Sequence, residues 1–172
     1  MPIEDEWRRG YARQAWADLK TREMLSGPAG RDVPECHRLH FLQMACEKLV
    51  KAHLYFGGSP PGKIQSSHAV IAKHLPIIVN EYYRRQKGQN LPHHLMARVR
   101  SLSREIELLA PAVDNAGLQP ANCEYPWLDT ATRRVFVPVD YGFRNLDLPR
   151  EVAGRLILKI MPVAIAALSE PT

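Results

Sequence analysis

The stretch from Leu39 to Phe56, LHFLQMACEKLVKAHLYF, constrains this chain most, because Leu39, Leu42, Cys46, Leu49 and Phe56 recur at steps of three and four residues and their sum. That is the pattern of one face of a packed α-helix. The same register sets Gln43, Glu47 and Lys51 on successive turns of another face. Glu47 four residues before Lys51 is the orientation that supports a helix.

Further helical patterns surround it. A first helix is expected from about Ile3 to Leu25, with Trp7, Tyr11, Ala15 and Leu19 on every fourth residue, ended by SGPAG at 26–30. GGSPPGK at 57–63 cannot continue a helix, and Ser66 or Ser67 reads as the N-cap of a third, His68 to about Lys87. There Val70, Ile71, Leu75, Ile78 and Tyr82 point inward, and Pro76 should kink the helix by deleting a backbone bond. After GQNLP at 88–92 a fourth helix carries Leu95, Val99, Leu102, Ile106, Leu109 and Val113. From Gly117 to Pro149 the helical period gives way to prolines and aromatics, which reads as a loop or short hairpin. RVFVPVDY at 134–141 alternates like a strand that Pro138 confines to an edge. A last helix, Leu148 to Leu168, is apolar nearly all round beyond Leu156 and needs cover, for which a second copy of the chain is expected. Long amphipathic helices with short connections predict an all-α, antiparallel up-and-down bundle of about five helices in a single domain over 1–172.

The 172 residues carry a formal charge of +5, a balance that favours an anionic partner such as RNA or a nucleotide. Cys36, Cys46 and Cys123 form no CxxC pair, and the simplest compartment is a reduced cytoplasm. MPIEDEWRRG lacks the apolar core of a secretory signal. Leu156 to Leu168 contains Lys159 and Pro162 and reads as too short to span a bilayer, so no membrane partner is expected. Gly57-Gly58 has neither the spacing nor the lysine of a P-loop, and His68 and His74 lack an H-E-x-x-H context. No cofactor or metal is expected.

LQMACEKLVKAHL at 42–54, then SSHAVIAKHLPII at 66–78, then a long charged helix, then CEYPW at 123–127, resembles the HEPN domain family. Gln43, Ala45, Glu47, Lys48, Lys51, Ala52 and Leu54 match that family's second-helix pattern, QxAxEKxxKAxL, and His68 stands where its next helix opens near a histidine. The resemblance covers roughly Ala15 to Trp127. It implies a helical bundle that commonly dimerises, with relatives in toxin–antitoxin and defence systems, some of them metal-independent ribonucleases. Those ribonucleases use an arginine followed four to six residues later by a histidine, late in the fold. No histidine follows His94 here, and the arginine the family often carries before a Tyr-Pro step is Glu124. A formal match, Arg31-DVPEC-His37, lies at the start of the second helix instead.

Two sets of residues carry candidate chemistry. Arg31, His37, Arg38 and His40 offer cations and imidazoles for a displaced ribonuclease site, or simply an exposed basic first turn. Lys48 and Lys51, if faced by Arg98, Arg100 or Arg104, would line a phosphate-binding groove, or else Glu47 pairs with Lys51 and both stay solvated. Tyr125 and Trp127 suit either stacking on a base or anchoring the loop. The leading expectation is a binding module for RNA, a nucleotide or a partner protein, with His68 among its contacts. A ribonuclease and a structural dimer are the alternatives.

Overall fold

A computed structural model describes residues 3–58, 61–111, 121–143 and 146–170. In chain order, α1 (Ile3–Ser26), α2 (Glu35–Phe56), a short α3 (Pro61–Ser66), α4 (Ile71–Lys87) and α5 (His93–Glu107) precede the strands β1 (Trp127–Asp129) and β2 (Arg134–Phe136). The last element is α6 (Val152–Ser169). Five long helices therefore make the body of the protein, and the 121–143 segment carries a two-stranded antiparallel sheet in which Trp127 pairs with Phe136.

Helix α2 is the hub, packing against α1, α4, α5 and α6. Leu42, Cys46 and Leu49 are fully buried, as their spacing requires. Each leucine withdrawn from water contributes about 1.5–3 kcal/mol. The stripe fails at one position: Phe56 is exposed, and Tyr55 takes the inner place. Around α2 stand Ala15 and Leu19 of α1, Ile71, Leu75 and Ile78 of α4, Val99, Leu102 and Ile106 of α5, and Ile157, Ile160 and Met161 of α6. Because neighbours surround α2, its polar positions Gln43, Glu47 and Lys51 are buried as well. Glu47 and Lys51 are paired, as one of the expectations had it, but within the fold rather than in solvent.

Several boundaries differ from the expected ones. The chain enters α2 directly after Pro34, so Cys36 to His40 lie within the helix. The glycine- and proline-rich 57–63 stretch leads into α3 rather than a plain loop, and Ser66 ends α3 with its hydroxyl on the Gly62 carbonyl. Consequently α4 starts at Ile71 instead of His68. Its flanking residue is Val70, and the Ala72 N–H donates to Glu107 Oε2 from α5, at 2.9 Å. Helix α4 runs through Pro76 and stops at Gly88, whose φ of +71° suits a residue without Cβ. Helix α5 ends at Glu107, with Leu109 still buried beyond it; Val113 lies outside the described residues, as do 117–120 and 144–145. Pro149 sits in a 3₁₀ turn, Leu148–Arg150, so α6 begins at Val152.

The expectation that the last apolar segment is too short is corrected. Helix α6 has 18 residues and, by length and composition, is long and apolar enough to cross a membrane. Within the fold, 44% of it is buried. Its outer side carries Arg155 and Lys159 beside exposed Val152 and Val163.

Candidate functional site

Charge is distributed unevenly over the helices. Residues 71–107, which form α4, its turn and α5, hold seven Lys and Arg against three Glu. Each of those glutamates is engaged. Glu81 pairs with Arg85, Glu105 accepts from Arg98 and Ser101, and Glu107 accepts the Ala72 N–H. Arg98 is further held by Glu151, at the start of α6, through two bonds of 2.6 Å. That fork geometry raises the Arg98 pKa and holds the Glu151 carboxyl below its ordinary range.

Of the five other cations of 71–107, Lys73, Arg100 and Arg104 line one groove, whereas Arg84 and Lys87 do not. A groove of about 740 Å³ between α4 and α5 is lined by Lys73, Asn80, Arg100, Ser101 and Arg104 over an apolar floor of Pro76, Ile77 and Met96. Lys73, Arg100 and Arg104 have no carboxylate partner among the described residues. Ile77 is half exposed inside the groove. Helical geometry explains the arrangement: Ala72, Lys73, Pro76, Ile77 and Asn80 form one face of α4, beside the buried face of Ile71, Leu75, Ile78 and Tyr82. Asn80 is braced there, accepting the Leu91 N–H at 2.8 Å and donating to Asn90 at 3.1 Å.

The lysines of α2 are placed differently from the cations of this groove. Lys48 lies 2.5 Å from Asp18 of α1, and Asp18 also accepts from Gln14. Lys51 lies 2.8 Å from Glu47 and over the ring of Tyr11. Gln43 donates to the second oxygen of Glu47 at 3.0 Å, and His68 Nδ1 lies 3.3 Å from the first. Of the four residues matching the HEPN pattern here, Gln43 and Lys51 thus meet at Glu47, and Lys48 pairs separately with Asp18. Tyr11, raised in pKa by burial and by the nearby Tyr55 and Glu47, stacks with Tyr55 beside it, and Trp7 closes the stack.

The arginine–histidine set is dispersed. Arg31 and His37 are exposed in the turn before α2 and in its first turn, and Arg31 follows a 3₁₀ turn, Pro28–Gly30. Arg38 stands near Arg22, whose pKa burial lowers and the Arg38 charge lowers further. His40 Nδ1 lies 3.6 Å from Glu124 and its ring meets Phe41 edge-on. Glu124 of the 121–126 segment therefore faces α2. Tyr125 and Trp127 separate: Trp127 is buried and packs edge-on against Tyr141 at 4.9 Å, whereas Tyr125 is exposed. Buried Asn122 sets that turn by accepting the Glu124 and Tyr125 N–H groups.

Among the described residues, no three His, Cys, Asp or Glu side chains are grouped to hold a metal ion. All three cysteines are free and buried, and burial pushes Cys46 up to about 12. Lys73, Ile77 and Asn80 were not foreseen as site residues. Their signal was present in the second face of α4 and in the charge excess of 71–107. Comparisons with family models, curated proteins and solved structures gave no match.

Proposed function

We propose that this protein is an RNA-binding helical module whose contact surface is the α4–α5 groove. The observation that carries this reading is the convergence on one groove of Lys73, Arg100 and Arg104, none of which has a carboxylate partner among the described residues. Cations without internal partners bind phosphates by releasing counterions, and the apolar floor of Pro76, Ile77 and Met96 gives an unpaired base a surface to lie on. The HEPN resemblance of residues 15–127 supports the same reading, with an antiparallel bundle and an α6 shared between two copies. On this account Arg98 shapes the groove by tying α5 to α6, and Lys48 and Lys51 stabilise α2 rather than touch the ligand.

The test is fluorescence anisotropy with a labelled single-stranded RNA of about 20 nucleotides at low salt. Lys73→Glu, Arg100→Glu and Arg104→Glu together should weaken binding at least tenfold, while Arg31→Glu, exposed elsewhere, should change it less than twofold. Equal affinity for the triple variant and the native chain would overturn the reading. Capture of an acidic protein with no RNA affinity would replace it with a protein-binding one.

A further inference from the structure

The α4–α5 groove sets the charges of Lys73, Arg100 and Arg104 around a space of about 740 Å³. Sites for single small ligands span about 300–1,000 Å³, so this one has room for a nucleotide. Among the described residues no Asp or Glu lines it. Its two neutral polar side chains are already engaged within the protein. Ser101 accepts from Arg98 and donates to Glu105, and Asn80 accepts the Leu91 N–H and donates to Asn90. An anion in the groove is therefore left to the three cations.

Their arrangement narrows what that anion is. Arg100 and Arg104 stand four residues apart on α5, on one face and about 6 Å apart along its axis. Lys73 belongs to the other wall, on α4. An internal RNA phosphate is a diester with one charge, and two of its oxygens are tied to sugars. A terminal phosphomonoester carries about −1.5 to −2 at pH 7 and offers three oxygens. With the diester next to it, it brings about three negative charges, equal to the three cations of the groove. Guanidinium forks suit the group with three oxygens, and an ammonium serves as a point charge for the diester. The base of an end nucleotide has a stacking neighbour on one side alone, and half-exposed Ile77 gives its other side a surface.

We propose that the groove takes the phosphorylated end of an RNA strand, with Arg100 and Arg104 on the terminal phosphomonoester, Lys73 on the adjoining diester and the terminal base on Ile77. The inference rests on the RNA-binding reading above and names the part of the strand that is bound.

Anisotropy at pH 7.5 and low salt tests it, with internally labelled RNAs of one sequence that carry a 5′-phosphate, a 3′-phosphate or hydroxyls at both ends. At least one phosphorylated strand should bind about tenfold more tightly than the hydroxyl-ended strand, the effect of charge-assisted hydrogen bonds to one added group. The end that gains identifies the source of the monoester. Arg100→Gln with Arg104→Gln should remove the gain, with an unaltered thermal midpoint because both side chains are exposed. Lys73→Gln should weaken all three strands alike. Equal affinity of the native chain for the three strands would overturn the proposal even if the double variant fails to fold, and so would a gain that survives in that variant. In both cases the groove remains a surface for internal phosphates. Absence of binding to any of the three would overturn the proposal and the RNA reading together.

Discussion

Lys48 Nζ lies 2.5 Å from Oδ2 of Asp18, across the contact between α1 and α2, with Asp18 almost enclosed. A lysine whose position in the sequence suggests a ligand contact is thus engaged inside the bundle. Removing it leaves a buried carboxylate with only Gln14 as a hydrogen-bonded partner in that contact. Lys48→Met should cost about 2–3 kcal/mol in urea unfolding, and Asp18→Asn combined with Lys48→Met should recover much of that loss. Its RNA affinity, measured on the folded fraction, should equal that of the native chain.

Stability should fall in acid through the Arg98–Glu151 fork. Glu151 has a folded pKa below its unfolded value of about 4.3, so its contribution is complete above that pH. As the pH drops from there through the folded value, the unfolded chain takes up the proton first and the contribution is lost. Thermal midpoints between pH 6 and pH 3 should show a shallower acid loss for Glu151→Gln than for the native protein. Superimposable acid profiles would contradict the role assigned to this pair.

Gly154 permits α6 to lie directly on the preceding 3₁₀ turn. A Cβ there would sit 2.3 Å from the Leu148 carbonyl oxygen and 2.6 Å from its Cα, both of them backbone atoms. Gly154→Ala should destabilise by about 1–3 kcal/mol despite the better helix propensity of alanine. The lowered urea midpoint should come with weaker RNA binding, because Glu151, which braces Arg98, lies in the same turn.

The outer face of α6 exposes Val152 and Val163, and a groove of about 320 Å³ between α1 and α6 is lined by Arg13, Trp16, Ile165, Ala166 and Ser169. The dimer proposed above would meet on this face, which also carries Arg155 and Lys159. Light scattering at micromolar concentration should report twice the chain mass, and Val163→Asp with Trp16→Glu should halve it. A native monomer would contradict the inference.

The periodic segments were legible because burial follows helical phase. Leu42, Cys46 and Leu49, or Val99, Leu102 and Ile106, are read correctly from spacing alone. Helix ends were less so, since α4 is capped by Glu107 from another helix and the local serines misled. The site was harder still. Whether a lysine is available depends on where the nearest carboxylate falls, and Asp18 lies thirty residues from Lys48 in the chain. The same applies to Arg98, matched by Glu151 from beyond the 117–149 segment. Lys73 escaped notice because a single cation gains meaning only when Arg100 and Arg104 are seen beside it.

The most direct measurement is the salt dependence of RNA affinity for the native chain and for Lys73→Ala, Arg100→Ala and Arg104→Ala taken singly. Three phosphate contacts predict a slope of about −2 in log K against log salt for a single strand, and each substitution should reduce its magnitude by about 0.7. A slope near zero, or one that none of the three substitutions changes, would contradict the assignment of the groove as the RNA-binding surface.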